Sequence, residues 1–191
     1  MSSIIKSPYF FVDRPLAIFL HQIVSPTFYE IAKIVSFFGL GGLYVAIFSL
    51  LWLLSFFILK KPYWIFCSTV LLLSVVVPGL CCNVLKMILG RSRPDLLFSQ
   101  DLYGFYFFHF DLSAEYYSFP SGHATTIAGV AMACYLLWRR FPLLIVGVAT
   151  LVILSRVILS EHFLSDIMMG AYLGSIMTCW IYHFLKNKMR Q

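Results

Sequence analysis

The sequence has few charged side chains for its length. Only 12% of its 191 residues are Asp, Glu, Lys or Arg, whereas 61% are hydrophobic and the mean hydropathy is +0.88. A soluble domain carries about 25% charged residues. The shortage excludes a soluble enzyme, a disordered tail and a coiled coil, and it predicts a helical integral membrane protein.

The sequence also lacks the cysteine patterns that mark metal or disulfide sites. No CxxC pair and no Cys/His cluster with metal-ligand spacing occurs. An odd number of cysteines in apolar runs argues against a disulfide framework, so we interpret them as small buried hydrophobic residues. We therefore predict neither a metal site nor a cofactor. The five cysteines are Cys67, Cys81, Cys82, Cys134 and Cys179.

Long apolar runs account for most of the chain. A bilayer core about 30 Å thick needs about 20 apolar helical residues. Five runs meet this need, over residues 34–59, 62–85, 120–138, 141–160 and 163–185. The chain is thus expected to form one all-α, membrane-embedded domain over residues 1–191, a bundle of five transmembrane helices.

Residues 1–33 are more polar than the rest of the chain. Leu16, Phe19, Leu20 and Ile23 have helical spacing, which favours an amphipathic helix lying in the membrane interface. A sixth span over residues 11–33 is the alternative. We therefore predict that residues 1–33 form an interfacial segment, and the sequence does not decide whether this segment also crosses the membrane.

Basic clusters follow the first, third and fifth runs. With five spans these clusters share one side, which the positive-inside rule assigns to the cytoplasm. They account for most of the +6 net charge, from 14 Lys and Arg against 8 Asp and Glu, without any nucleic-acid partner. The loop over residues 90–119 then faces the periplasm or cell exterior, as expected for a multi-pass protein of the cytoplasmic (inner) membrane. The clusters are Lys60-Lys61, Arg139-Arg140 and Lys186, Lys188 and Arg190.

Three short stretches at the outer ends of the predicted spans carry the reactive residue types. Charged residues at a membrane edge are costly, so they are candidates for function. Lys86, Arg93 and Arg156 suit a phosphate, because arginine donors match phosphate oxygens. The stretches are Lys86 to Pro94, Pro120-Ser121-Gly122-His123, and Ser155-Arg156 followed by His162 and Asp166.

A helix beginning at Ser121-Gly122 would add a further seat for an anion. Its free backbone N–H groups and its positive dipole end favour phosphate, and Gly122 permits close approach. Lys86 and Arg93 would share a face if the second helix ran unbroken. We therefore predict phosphate contacts from Lys86, Arg93, Ser121, Gly122 and Arg156.

Two histidines complete the predicted chemistry. His162 and Asp166 are spaced i, i+4, which places them on one face of a helix. An aspartate that orients one imidazole nitrogen leaves the other free to attack phosphorus. His123 could then protonate the leaving oxygen. The predicted reaction is phosphoryl transfer through a phosphohistidine, followed by attack of water, with no metal required.

At these positions the sequence resembles the type 2 phosphatidic acid phosphatase superfamily, which includes bacterial lipid phosphatases and, more distantly, vanadium haloperoxidases. The pattern Lys-x6-Arg-Pro, Pro-Ser-Gly-His, Ser-Arg-x5-His-x3-Asp is present without departure over residues 86–166. The resemblance implies that His162 is the nucleophile, Asp166 its partner and His123 the acid. It gives Lys86, Arg93, Ser121, Gly122 and Arg156 the role of holding phosphate.

The resemblance implies a cell-envelope enzyme that removes a terminal phosphate from a membrane lipid. Family substrates include undecaprenyl diphosphate, phosphatidylglycerophosphate, phosphatidic acid and lipid A phosphates, and the sequence does not choose among them or give an oligomeric state. A phosphotransferase using the same phosphohistidine and a non-catalytic lipid-binding or transport protein are the alternatives. A haloperoxidase fits less well, because those relatives are soluble.

Several other residues have simpler interpretations. Arg91 is expected to extend its charged end to the membrane interface. His21, His109 and His183 are expected to be polar groups at helix ends. Gly39, Gly41 and Gly42 are expected to permit close helix packing. The aromatic residues of the outer loop could form an interfacial belt or a lid over the site, and both interpretations stay open. They are Tyr103, Phe105, Tyr106, Phe107, Phe108, Phe110, Tyr116 and Tyr117.

Overall fold

The computed structural model describes residues 9–108 and 114–189, and these residues are organised almost wholly as helices. The all-α prediction is therefore confirmed for the described residues. Short π-helical turns cover Tyr9–Asp13 and Leu54–Leu59, and a 3-10 turn covers Ala114–Tyr116. The α-helices of this part of the chain are α1 (Arg14–Ile23), α2 (Pro26–Phe37), α3 (Gly41–Leu53), α4 (Pro62–Leu89), α5 (Pro94–Gln100), α6 (Gly122–Trp138), α7 (Pro142–Ile158) and α8 (Leu164–Lys188).

Three helical stretches are long and apolar enough to cross a membrane. They are Pro26–Leu59, Pro62–Leu89 and Leu164–Lys188, of 34, 28 and 25 residues. Helices α6 and α7 are shorter, at 17 residues each. The chain is thus a membrane protein with several apolar helices.

The first of these stretches begins earlier than the predicted run over residues 34–59. Helix α2 starts at Pro26, where the Ser25 side chain accepts a hydrogen bond from the N–H of Phe28. Glu30 and Lys33, which made this region look too polar, lie on the exposed face of α2. A turn over residues 38–40 then connects α2 to α3.

Helix α6 lies at the centre of the bundle, packed against α3, α4, α7 and α8. Glycines let α8 approach α6 closely, because a Cβ at Gly170 would stand 2.5 Å from the carbonyl oxygen of Ser121. At Gly174 it would stand 2.1 Å from the carbonyl oxygen of Thr125. The packing fixes the first turn of α6 against the second and third turns of α8.

Helix α1 packs across the C-terminal end of α7 and the N-terminal end of α8. Leu16 and Leu20 contact the cluster that contains Val157 and Ile167. Phe19 and Ile23 are exposed instead. Of the four apolar residues predicted to form one stripe, two therefore pack against the protein and two face outward.

The described members of the basic clusters gather at the end of the bundle opposite α1, and Arg190 lies outside the described residues. A cavity at this end is lined both by Pro62, the first residue of α4, and by Lys188, the last residue of α8. Tyr63 interacts with Trp138, the last residue of α6. The ends of three helices that carry basic residues thus lie together, as the alternation of predicted spans requires.

Candidate active site

The first turn of α6 forms one wall of the site. Ser121 precedes the helix and Gly122 is its first residue, as predicted. A Cβ on Gly122 would lie 3.9 Å from the Nζ of Lys86, so the lysine reaches this helix end. The cation and the free N–H groups of the helix therefore face the same space.

Lys86 and Arg93 do not share a helix. Helix α4 ends at Leu89, and Gly90 adopts a left-handed conformation with φ of 52° that turns the chain. Arg93 immediately precedes α5. The turn still returns Arg93 to the site, since electrostatic interactions link Lys86 to Arg93 and Arg156.

Arg156 and Arg93 share one carboxylate. The carboxylate of Glu161 accepts a hydrogen bond from Arg93 Nη1 and lies 3.5 Å from Arg156 Nη2. Arg156 also donates to the Ser36 hydroxyl of α2 at 2.5 Å. The Glu161 side chain is 34% exposed. We call Glu161, Arg93 and Arg156 the open cluster because its carboxylate is accessible from outside the protein.

Three buried donors of the predicted phosphate site have no hydrogen-bond partner among the described residues. They are the Nε atoms of Arg93 and Arg156 and the hydroxyl of Ser121. Buried donors are normally paired, and an unpaired one costs about 1–3 kcal/mol. Their grouping around the first turn of α6 suits an oxyanion with several acceptor oxygens.

His162 lies between α7 and α8 and is almost fully buried. Burial lowers the pKa of His162 from its usual 6.5 to about 4, and the positive charges of Lys86 and Arg93 act in the same direction. Asp166 opposes this shift only in part. The imidazole is therefore neutral near pH 7, as a nucleophile must be.

His162 and Asp166 lie close together, but the expectation that both lie on one face of a helix is wrong. Helix α8 begins at Leu164, so His162 precedes the helix, and Nδ1 of His162 lies 3.8 Å from Oδ2 of Asp166. The helix begins only after His162 because Asp166 accepts a hydrogen bond from the N–H of Phe163 at 2.8 Å, which caps the first turn of α8. Asp166 thus caps α8 as well as facing the histidine.

Ser118 stands between the two. Its hydroxyl donates to Oδ2 of Asp166 at 2.5 Å and lies 3.4 Å from Nδ1 of His162. A hydroxyl has a single hydrogen. Because that hydrogen points to Asp166, Nδ1 of His162 carries its own hydrogen toward Ser118. This assigned tautomer leaves Nε2 unprotonated and free to attack.

Arg91 does not extend to the interface, and that prediction is wrong. Its side chain is 3% exposed because it pairs with two carboxylates, donating to Asp166 through Nη1 and to Asp13 through Nη2, the latter at 2.8 Å. Asp13 is 3% exposed and Asp166 is 0% exposed. We call Asp13, Arg91 and Asp166 the closed cluster.

His123 faces the other side of the site. Gly39 packs directly against it, since a Cβ on Gly39 would lie 2.9 Å from Cδ2 of His123. The expected close packing therefore holds at Gly39, whereas a Cβ on Gly42 would meet nothing within 4 Å. His123 also interacts electrostatically with His162 and Arg156, which places all three in one cluster of side chains.

A largely apolar cleft of about 460 Å³ opens beside His123, between α3, α4 and α6. Its glycines leave room that side chains would otherwise fill. The residues that line it are Gly39, Gly41, Gly42, Val45, Val75, Val76, Gly79, Leu80, Cys82, Asn83, Gly122, His123 and Thr126.

The remaining predicted positions lie outside the site or outside the described residues. His21 stacks on Phe98 with ring centroids 4.0 Å apart, and His183 lies on α8 toward the opposite end. Phe105 lies against the Arg91 guanidinium, 5.2 Å from its ring centroid, so part of the aromatic loop supports the closed cluster. His109 and Phe110 fall outside the described residues.

Sequence reasoning missed Asp13, Ser36 and Ser118. Asp13 carried a usable signal, because a carboxylate close to an apolar segment is a candidate for function. Ser118 stands two residues before the Pro-Ser-Gly-His stretch but lacks a pattern of its own. Ser36 shows nothing in the sequence that distinguishes it from a packing residue.

The fold and the site define an all-α membrane protein with cations and two histidines gathered at one end of its bundle. The chain matches the family model described as the PAP2 superfamily over residues 62–190. This range covers two thirds of the chain and all three motif stretches. The protein therefore belongs to the PAP2 superfamily.

Individual relatives resemble parts of the chain. Over 112 residues it is 34% identical to a lipid A 1-phosphatase of Rhizobium etli, covering 57% of this chain and 47% of that protein. Over 105 residues it is 33% identical to a lipid A 1-phosphatase of Rhizobium johnstonii, covering 55% and 42%. The chain spans about half the length of the curated relatives it matches.

A solved structure shares the fold. The crystal structure of a transmembrane PAP2 type phosphatidylglycerolphosphate phosphatase from Bacillus subtilis superposes with a TM-score of 0.69 at 24% identity. The match covers 92% of this chain and 85% of the other. It therefore extends well beyond the range of the family model.

Proposed function

We propose that the protein is a membrane lipid phosphatase that removes a terminal phosphate through a phosphohistidine on His162. The observation that carries the proposal is the set of buried, unpaired donors of Arg93, Arg156 and Ser121 beside a neutral histidine. Membership of the PAP2 superfamily and the names of the relatives support it.

The first chemical step is attack of His162 Nε2 on phosphorus. The bond from phosphorus to the lipid oxygen breaks, and His123, which takes up a proton once the negative phosphate offsets the surrounding cations, donates that proton to the oxygen. Lys86 and the two arginines of the open cluster stabilise the charge on the equatorial oxygens. Ser118 and Asp166 hold the hydrogen on Nδ1, which stabilises the positively charged phosphoimidazole.

The second step returns the enzyme to its starting state. Water attacks phosphorus, the N–P bond breaks and inorganic phosphate leaves. His123, now neutral, accepts the proton of the water. The net reaction consumes one water and yields the dephosphorylated lipid and phosphate.

The cleft beside His123 supports a lipid as the leaving group. Its apolar wall lies on the side of the acid, where the alkyl part of the substrate would depart. An apolar cavity with a few polar groups at one end suits an amphiphile. Lipid A phosphates and phosphatidylglycerophosphate are the first candidates, since relatives carry those names.

The topology is also part of the proposal. We infer five spans, with α6 and α7 crossing beside the three longer stretches and the site on the outer face of the cytoplasmic membrane. The basic ends of α4, α6 and α8 at the opposite pole support a cytoplasmic position for that pole.

The test is phosphate release by the detergent-purified protein. The panel contains undecaprenyl diphosphate, phosphatidylglycerophosphate, phosphatidic acid and a lipid A phosphate, with EDTA present. Release is expected from at least one lipid, lost in His162→Ala and retained in His183→Ala, a matched change on the exposed far part of α8. If the phosphate of the lipid passes to an added acceptor and no free phosphate appears, the protein is a phosphotransferase instead. No turnover of any kind would contradict the proposal.

A further inference from the structure

Asp13 is a buried charge for which the proposed reaction has no direct use. It lies 3% exposed at the start of α1, outside the residues matched by the family model. Its Oδ1 accepts the backbone N–H of Ser165 at 2.9 Å, and its Oδ2 accepts the Ser165 hydroxyl at 2.5 Å. Asp13 therefore binds the first turn of α8, the helix that carries Asp166.

Arg91 connects Asp13 to Asp166. One guanidinium nitrogen serves each carboxylate, and Nη1 also donates to the Ser165 hydroxyl at 2.6 Å. The face of Phe163 lies 4.6 Å from the guanidinium carbon, which confines the group further. Residues from the turn before α1, the loop after α4 and the start of α8 thus contact one another through Arg91.

Asp13 and Asp166 bind different nitrogens of the Arg91 guanidinium. An arginine fork is planar and rigid, so fixing one nitrogen fixes the direction of the other. With Nη2 held by Asp13, Nη1 is directed at Oδ1 of Asp166 and at the adjacent Ser165 hydroxyl. Oδ2 of Asp166 then remains directed at Ser118, which lies beside Nδ1 of His162.

We propose that Asp13 is a positioning residue, which acts through Arg91 to hold the Asp166 carboxylate in the orientation that serves His162. The proposal rests on the proposed function, because it assigns Asp166 to the support of the nucleophile. It gives the N-terminal segment a part in the site.

The test compares Asp13→Asn with Asp101→Asn. The first change keeps the shape and removes the buried charge. The second is the matched control, because Asp101 forms an exposed ion pair with the adjacent Arg14 at 3.6 Å. We expect Asp13→Asn to lower kcat about 10–100-fold, as loss of an outer partner of a site ligand does, with KM within about twofold. Asp101→Asn should match the wild type.

A double-mutant cycle separates positioning from stability. If Asp13 acts through Asp166, adding Asp13→Asn to Asp166→Asn lowers kcat no further. The melting temperature of Asp13→Asn guards against misfolding, because this variant keeps Arg91 paired with Asp166 and leaves no buried charge unpaired. The variant should fold and still show the lowered kcat.

A spectroscopic measurement keeps this proposal distinct from the proposed function. In protein labelled with ¹³C-histidine, the ring signals of His162 should shift in Asp13→Asn and stay unchanged in Asp101→Asn, whether or not a lipid is hydrolysed. An unshifted His162 signal would overturn the proposal. The proposal would also be overturned if Asp13→Asn lowered kcat as much in the Asp166→Asn background as in the wild type, or if folded Asp13→Asn kept the wild-type kcat.

Discussion

The closed and open clusters pair arginine with carboxylate in two different ways. Asp13, Arg91 and Asp166 are at most 3% exposed, whereas Glu161 of the open cluster is 34% exposed. Removing one partner of a buried pair costs about 3–5 kcal/mol, but an exposed pair is worth only about 0.2–1 kcal/mol. The closed cluster can therefore keep its geometry throughout a reaction, while the open cluster can give up Glu161 for a phosphate.

The largest expected effect comes from the closed cluster. Asp166→Asn should lower kcat by about 10⁴-fold, because the amide can bind Nδ1 of His162 in the wrong tautomer and adds no negative charge. Inhibition by inorganic phosphate should change little, since the open cluster is intact. Asp101→Asn, which changes an exposed acidic residue beyond the end of α5, is the control. If Asp166→Asn weakened inhibition by phosphate as strongly as it lowered kcat, the two clusters would not act separately.

A second prediction concerns His123, which belongs to neither cluster. His123→Ala should lower kcat by about 10²–10⁴-fold on a lipid substrate, because the leaving oxygen loses its acid. The deficit should shrink on an aryl phosphate, whose leaving group needs no proton. The ratio of the two rates measures this. The same deficit on both substrates would assign His123 to binding.

Glu161→Gln should have a small effect of opposite sign. The variant frees Arg93 and Arg156 from a competing carboxylate, so inorganic phosphate should bind up to about fivefold more tightly, the equivalent of about 1 kcal/mol. Inhibition constants for phosphate measure the change, with Glu30→Gln on the exposed face of α2 as control. Weaker binding would mean that Glu161 orients the arginines for phosphate.

The smallest expected effect is that of pH. Because burial lowers the pKa of His162 to about 4, its imidazole is already neutral at pH 5 and gains a proton only as the pH falls through about 4. Its ¹³C-histidine signal, identified by its loss in His162→Ala, should hardly move between pH 8 and pH 5. Titration near pH 6.5 would show instead that the site admits water freely.

The sequence alone predicts the residues whose type and spacing are set by the chemistry. Helix α6 begins at Gly122 as predicted, because Pro120 and Gly122 mark the start of an apolar run. Lys86, Arg156 and His162 meet because each stands at the outer end of a run. Each of these features depends on residues close together in the chain, so the sequence alone is enough to predict it.

Contacts between distant segments could not be predicted in the same way. Asp13 and Ser165 are 152 positions apart, and nothing local in either stretch requires the other. Arg91 was misinterpreted for the same reason, since its partners lie 75 and 78 positions away. The left-handed turn at Gly90, which separates Arg93 from α4, follows from one backbone angle that residue spacing does not specify.

The contact of Asp13 with Ser165 has a consequence for how the protein is made. Synthesis runs from the N-terminus, so Asp13 leaves the ribosome before α8 has been translated. Until α8 inserts, Asp13 lacks the Ser165 N–H and Arg91 lacks Asp166. The site can therefore assemble only as α8 enters the bilayer, and a chain inserted without α8 has neither contact.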